Sequence, residues 1–256
     1  MNYDLQGKVA IVTGGNGGLG ACTVEMLLQE GADVAISYIV DEEGVKRQVE
    51  ELSGRFPERR ITAFFNDVSE EESDKKLLKN VLEEMGRADI LVNTAGIWPT
   101  AYVREMTADA FRRTLNINLV GPFILCREII NYWINNGMKG KIVNVTSQAA
   151  FHGSTSGHAH YAASKAGMVT FSISLAREVA PKGINVNCVA PGIMRTPMNE
   201  AILENPKRLE AYLERIPLRR ISEPIDVAKV ILFLASSQAD YITGATLDVT
   251  GGMLMR

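Results

Sequence analysis

Seven short runs rich in β-branched residues punctuate the chain: KVAIVT at 8–13, DVAISY at 33–38, ITAFF at 61–65, DILVN at 89–93, KIVNVT at 141–146, INVNCVA at 184–190 and ATLDVT at 245–250. Helix-length stretches separate them. The runs are apolar almost continuously, not on alternate residues, and strands of that kind are buried on both faces, which calls for a parallel sheet covered by helices. The pattern predicts an α/β fold of the Rossmann-type, doubly wound class. No composition shift, Pro/Gly-rich linker, low-complexity tract or solenoid-length repeat divides the 256 residues, so residues 1–256 are expected to form a single domain.

Bulk properties narrow the function. With 46% hydrophobic and 22% charged residues the chain is ordinary for a globular protein, which excludes disordered, collagen-like and coiled-coil classes. Its formal charge is −3 and it has no long basic run, so no nucleic-acid partner is expected. Cys22, Cys126 and Cys188 are scattered in apolar segments without CxxC or metal-ligand spacing, and read as buried reduced thiols. The start, MNYDLQGKVAIV, lacks the charged and apolar regions of a signal peptide, and apolar runs such as ILFLA at 231–235 fall far short of the ~20 residues of a membrane helix, so a cytoplasmic location and no membrane partner are expected. Asn144-Val-Thr146 matches a glycosylation sequon inside a strand-like run and is taken as chance. The least regular long segment, 198–224, is interrupted by Pro206 and Pro217; it reads equally as a substrate lid or as an ordinary surface excursion.

The first run ends in TGGNGGLG, Thr13 to Gly20, followed by a helical stretch closed by Gly31. Strand, glycine turn and helix in that order form an anion site, because the turn lets backbone approach a pyrophosphate and the helix start offers free N–H groups. Two registers fit, Gly15-x-Gly17-x-x-Gly20 and the wider Gly14-x-x-x-Gly18-x-Gly20. In such folds an acid after the second strand holds the ribose of NAD, whereas a base accommodates the phosphate of NADP. Here the strand ends in Tyr38-Ile39 and the acids Asp41, Glu42 and Glu43 follow, with no Lys or Arg in the glycine turn or just after the strand; this favours NAD over NADP. Asp67, after the third run, is either an acceptor for the adenine amino group or a helix-start acid.

Tyr161 and Lys165, in YAASK, stand one helical turn apart on one face. A nearby ammonium favours the phenolate and makes a usable acid/base; alone, the pair also fits a solvated helix face. Ser147 follows the fifth run, where ligands sit in doubly wound sheets, and is placed either to hydrogen-bond a substrate oxygen or to cap a turn.

Taken in order, TGGNGGLG, Asn93-Thr94-Ala95-Gly96, Asn118, Ser147, Tyr161-x-x-x-Lys165 and Pro191-Gly192 resemble the short-chain dehydrogenase/reductase family over nearly the whole chain, with a general likeness to its 3-oxoacyl-[acyl-carrier-protein] reductase group through VAPGIMRTPM, IPLRRISEPIDVA and ITGATLDVTGGMLMR. The resemblance implies a seven-stranded parallel sheet and the wider glycine register. It makes Tyr161 the general acid/base, Lys165 the group that lowers its pKa and holds the nicotinamide ribose, Ser147 the residue that orients the substrate oxygen, and Asn118 the holder of a relay water, with Asn116 the neighbouring alternative. Cofactor contacts are expected at Gly14, Asn16, Gly18, Leu19, Gly20, Tyr38, Asp67, Val68, Asn93, Ala95, Gly96, Tyr161, Lys165, Pro191, Gly192, Ile193 and Thr196. A homotetramer is implied, pairing through the helices around Asn118 and Tyr161.

Departures from the family pattern bear on the substrate. NTAG replaces NNAG, the loop 147–161 is long and rich in histidine, and CREIINYWINNGMKGK offers only Arg127 before Lys139 for an acidic carrier protein. Trp98, Phe151 and His152 either flank the substrate or pack in the core. His158 and His160 form an HxH pair without further ligands, so no metal is expected. The chain therefore reads as an NAD(P)-dependent oxidoreductase acting on a secondary alcohol or ketone, with a small polar, sugar or polyol substrate; the alternatives are a 3-oxoacyl-[acyl-carrier-protein] reductase and a non-catalytic dinucleotide-binding sensor or scaffold.

Overall fold

A computed structural model describes residues 3–256. In chain order the elements are β1 (Val9–Thr13), α1 (Gly18–Gln29), β2 (Asp33–Tyr38), α2 (Glu42–Arg55), β3 (Ile61–Phe65), α3 (Glu71–Met85), β4 (Ile90–Asn93), α4 (Ala108–Leu115), α5 (Gly121–Asn135), β5 (Gly140–Val145), α6 (Ala149–His152), α7 (Ala159–Val179), β6 (Ile184–Pro191), α8 (Glu200–Leu203), α9 (Pro206–Arg215), α10 (Pro224–Ala235) and β7 (Thr246–Val249). All seven apolar runs form strands. They pair in parallel in the order β3-β2-β1-β4-β5-β6-β7, the doubly wound sheet expected from the sequence.

Alternate strand residues supply two separate cores. Ala10 and Val12 of β1 face Leu27 and Leu28 of α1 and Val227 and Ile231 of α10; Val9 and Ile11 face Leu77 of α3, Ile129 and Trp133 of α5 and Val179 of α7. Burial on both faces explains why the strands are apolar at every position. Packing is tight at the amino end of β5, where a Cβ on Gly140 would lie 2.5 Å from the Trp133 ring. Helix starts and stops follow local chemistry. Asp41 caps α2 through Gly44 N at 3.0 Å. Gly86, at φ +77°, ends α3, and reciprocal bonds between Glu223 and Asp226 cap α10.

The winding reverses between β1 and β4, which run side by side while the chain departs in opposite directions, so a crevice opens beyond their carboxyl ends. Residues 198–224 fold as α8, α9 and connecting turns around a small apolar cluster of Ile193, Ile202, Ile216 and Ile221, joined by Trp98, Tyr212 and Met253. This cluster sits apart from the two sheet cores. Asn144 is fully buried in β5, so the sequon is closed to a glycan in the folded chain. Cys126 and Cys188 are buried, but Cys22 is only half-buried, a correction to the sequence expectation; all three are unpaired. Among the described residues no helix is long and apolar enough to cross a membrane.

Candidate active site

The turn after β1 is built for close approach. Gly14 and Gly18 adopt φ +63° and +50°, and a Cβ on Gly20 would stand 2.1 Å from Gly14 O, so α1 can begin here only without side chains. This is the wider glycine register. The turn is braced from outside: Gln48 Nε2 donates to Gly15 O at 3.0 Å, Gly15 N to Ser37 O at 3.1 Å, and Asn16 Nδ2 to Val40 O at 3.1 Å. Thr13 Oγ1 accepts from both Thr94 N and Ala95 N at 3.1 Å, tying β1 to the residues after β4. No side chain caps the first turn of α1, and Gly17 to Gly20 line the crevice, so unbonded N–H groups and the positive end of the helix are available to a phosphate. These features fit a dinucleotide pyrophosphate.

The crevice has a volume of about 610 Å³. Of the expected cofactor contacts, Gly14, Gly18, Leu19, Gly20, Ala95, Gly96, Tyr161, Lys165, Pro191, Gly192, Ile193 and Thr196 line it. Five others do not, each for a visible reason. The Asn16 amide is engaged by Val40, and the Tyr38 ring packs edge-on against Phe65 with centroids 6.2 Å apart. Asp67 Oδ1 accepts from Ser69 N and Oγ, and so serves the turn before α3. Val68 is buried beneath Gly121, where a Cβ would meet Val68 O. Asn93 turns into the sheet and donates to Asn144 Oδ1 at 2.8 Å, continuing to Ser172 Oγ at 2.9 Å.

The four catalytic candidates converge at the carboxyl edge of β5. Ser147 follows the strand, and Thr146 Oγ1 bonds Lys165 O at 2.9 Å, docking α7 against it. Lys165 Nζ donates to Val145 O at 2.8 Å and lies 5.8 Å from the centre of the Tyr161 ring. A single π-helical turn, Asn116–Val120, separates α4 from α5, a distortion common at functional sites. It aims Asn118 at the loop after β4: Oδ1 accepts from Ile97 N at 2.8 Å, while Nδ2 donates to Ile97 O at 2.9 Å and Ser164 Oγ at 3.1 Å. Asn116 instead bonds Ser69 O, away from this cluster. Ser164, which the sequence gave no reason to single out, passes the contact on to Tyr161 O at 2.7 Å.

Burial dominates the electrostatics of this corner. Burial pushes the Tyr161 phenol above its usual range, with the Ser147 hydroxyl acting in the opposite direction. Burial also pushes Lys165 down to about 8, against a smaller contrary effect of Cys188. Burial thus disfavours the charged form of both groups.

Trp98 forms one wall. Its ring stacks on His158 at 4.1 Å and meets Tyr161 edge-on at 6.3 Å, and His158 Nδ1 is 2.9 Å from Pro99 O. The histidine thus supports Trp98 and does not line the crevice; His160 is fully buried, and burial lowers the pKa of both. His152 lines the crevice, but Phe151 does not, its ring being covered by Arg256 at 3.7 Å. Lining residues the sequence did not single out include Ile39, Gln148, Met194, Met198, Asn199, Tyr212, Arg215 and Met253. Four of them, Met198, Asn199, Tyr212 and Arg215, come from the irregular segment read as a possible lid. Among the described residues no group of three or more His, Cys, Asp or Glu is placed to hold a metal ion.

Comparison with known proteins agrees with this geometry. A family model described as enoyl-(acyl carrier protein) reductase matches residues 14–254. The chain is 37% identical over 253 residues to the 3-oxoacyl-[acyl-carrier-protein] reductase FabG of Thermotoga maritima, covering 98% of this chain and 99% of the relative. It is also 37% identical over 262 residues to 3beta-hydroxysteroid dehydrogenase 1 of Eggerthella lenta, covering 100% and 97%. Among solved structures it is similar to a putative gluconate dehydrogenase from Agrobacterium tumefaciens, with TM-score 0.93, 33% identity and coverage of 100% and 99%. It is likewise similar to a protein from Brucella melitensis described as short-chain dehydrogenase/reductase, glucose/ribitol dehydrogenase, with TM-score 0.91, 34% identity and full coverage of both chains.

Proposed function

Because the chain belongs to the short-chain dehydrogenase/reductase family, whose members are NAD(P)-dependent oxidoreductases of CH–OH groups, we propose that it interconverts a small polar secondary alcohol, of the sugar or polyol type, and its ketone. The observation that carries this reading is the meeting of Ser147, Tyr161 and Lys165 in one crevice with the glycine turn. The dinucleotide supplies the hydride chemistry. Gly14, Gly18, Gly20 and the uncapped start of α1 would hold its phosphates, and Gly192, Ile193 and Thr196 its nicotinamide end. Tyr161 exchanges a proton with the substrate oxygen, which Ser147 orients, and Lys165 holds the ribose while its charge favours the phenolate. Asn118, with its amide engaged by Ile97 and Ser164, acts as a positioning residue that fixes the backbone leading to Trp98.

NAD(H) is the preferred cofactor in this reading, since Ile39 lines the crevice just past β2 and the lining includes no lysine or arginine other than Lys165 and Arg215. A polar substrate accords with the similarity to proteins named gluconate and glucose/ribitol dehydrogenase. The similarity to FabG favours a second reading, a 3-oxoacyl-[acyl-carrier-protein] reductase. Against it, the Arg127 guanidinium is already bound to Glu71 and Glu128 and lies over Phe123, so it offers little to an acidic carrier. A homotetramer is proposed on the exposed apolar side chains Phe111, Val120, Phe123 and Ile134 around α4 and α5, to be checked by scattering mass.

The test follows reduced-nicotinamide absorbance with NAD and NADP against polyols, sugars, hydroxysteroids and acetoacetyl thioesters. Tyr161→Phe is expected to abolish turnover while leaving dinucleotide affinity within about twofold; retained turnover in that variant would falsify the acid/base role.

A further inference from the structure

We infer that the crevice selects a substrate bearing a carboxylate, and that Arg215 receives it. The inference rests on the hydride-transfer reading above and narrows its substrate class. Its starting point is the charge of the lining: among the described residues Lys165 and Arg215 are its only lysine and arginine, His152 is its only histidine, and no Asp or Glu contributes. Lys165 is buried at the catalytic corner with Val145 O as its acceptor. Arg215 is different. It is exposed at the end of α9, it lies over the Tyr212 ring at 5.8 Å, and among the described residues it has no ion-pair partner. Neighbouring arginines are occupied: Arg195 by Glu223, Arg220 by Asp226 through two bonds, and Arg219 by Leu213 O.

Position assigns this fork to the substrate end. Tyr212, beneath Arg215, belongs to the apolar cluster that includes Trp98 and Met253, and Trp98 touches the Tyr161 ring. The phosphate-binding turn already has its own anion site in the start of α1. A guanidinium presents paired N–H donors that match a carboxylate in two parallel bonds, and a crevice free of acids leaves that match uncontested.

A second, independent feature says that the occupant is polar next to the reacting carbon as well. Gln148, adjacent to Ser147, lines the crevice at 9% exposure; its Nε2 meets only Met253 Sδ at 3.2 Å, and its Oε1 is buried without a partner. Buried amides without partners are costly. Turned towards the crevice, this amide would pair with a substrate hydroxyl, so the combination points to a hydroxylated acid in place of a neutral polyol.

The experiment uses matched probes on full-length enzyme saturated with dinucleotide: a six-carbon aldonate against the corresponding alditol, and 3-hydroxybutanoate against its methyl ester. For each, kcat/KM is measured by nicotinamide absorbance and Kd by calorimetry, in the wild type, Arg215→Gln and Arg215→Lys. Wild type is expected to prefer the acid in at least one pair. Arg215→Gln should reduce the acid-to-neutral ratio roughly 10- to 100-fold, mainly through KM, as expected for loss of a charged bidentate contact. Arg215→Lys should restore part of it. Dinucleotide Kd should stay within about twofold.

The inference is overturned if the wild type handles the neutral member as well as the acid in both pairs, if it neither binds nor turns over either pair, or if Arg215→Gln leaves the ratio unchanged. A parallel loss of dinucleotide affinity also overturns it, since that result assigns Arg215 to the cofactor phosphates. Failure of the parent reading looks different: turnover that survives Tyr161→Phe, or acid binding that depends on Arg215 with no coupled nicotinamide signal on any substrate.

Discussion

Replacing Lys165 by Met should make the dinucleotide-free protein more stable while destroying its activity. Burial lowers the lysine from its ordinary 10.5 to about 8, with Cys188 acting weakly the other way. That displacement corresponds to about 3 kcal/mol between the charged and neutral forms. The sign follows from proton counting. Below pH 8 both folded and unfolded chains hold the proton, so the folded state bears the whole cost; between pH 8 and 10.5 the folded state releases it first, and wild-type stability rises with pH. Methionine fills a similar volume without a charge, but forfeits the 2.8 Å bond to Val145 O, a loss of about 1 kcal/mol. The net gain at pH 7 is then about 2 kcal/mol, or roughly 4–8 °C in Tm for a chain of this size. By pH 9.5 about 2 kcal/mol of the charge cost has gone and the gap should close. Guanidinium melts at fixed protein concentration, at pH 7 and 9.5, measure both quantities. A Lys165→Met protein no more stable than wild type at pH 7, or a gap indifferent to pH, refutes the reasoning.

The same physics gives further outcomes. Gly20→Ala places a methyl group 2.1 Å from Gly14 O and must open the phosphate turn, so dinucleotide Kd in a fluorescence titration should weaken at least roughly tenfold, the order of one lost charged hydrogen bond. Unchanged affinity would show that the turn does not contact the phosphates. Asp74 is fully buried beside Asn66, and its pKa is pushed up to about 7, first by burial, with the Asn66 bond opposing and Asp67, Glu128 and Glu71 adding to the rise. Because the folded pKa lies above the unfolded 3.8, stability falls as pH rises through this interval and the cost is complete above pH 7. Asp74→Asn should therefore stabilise the protein at pH 8 by up to about 4 kcal/mol and much less at pH 4.5; equal effects in thermal melts at the two pH values would count against it.

What could be read from the sequence is what local pattern encodes. Strands buried on both faces must be apolar at every position, so all seven runs stood out, and the glycines of the first turn announced a backbone that tolerates no side chain. Helical spacing puts Tyr161 and Lys165 on one face, but it was the ordered set of motifs shared with the family that made them legible as a catalytic pair. The side-chain direction of Asn93 was not legible, because it depends on the register of β4 against β5, which sets it opposite Asn144 and turns its amide into the sheet. Asp67 was open to two readings, and its Oδ1 accepts from the hydroxyl and N–H of Ser69 in the turn before α3, a contact that no local pattern announces. Tyr212, Arg215 and Met253 were invisible for another reason: they reach the crevice from the irregular segment and the chain end, through an apolar cluster that no local periodicity marks.

The Tyr161 phenol shows what spacing leaves out, since spacing reports distance but not dielectric. One helical turn suffices to bring an ammonium near a phenol, yet the surroundings that enclose them weaken the charged state of each. The corner is thus unfavourable for the fold in isolation: it includes a desolvated lysine, a π-helical turn and a glycine turn that no larger residue can enter. The two apolar cores on either side of the sheet offset that cost. A variant that relieves the corner should gain stability in proportion to the charge it removes and lose turnover, which is the pattern expected where acid/base chemistry, not packing, has fixed the residues.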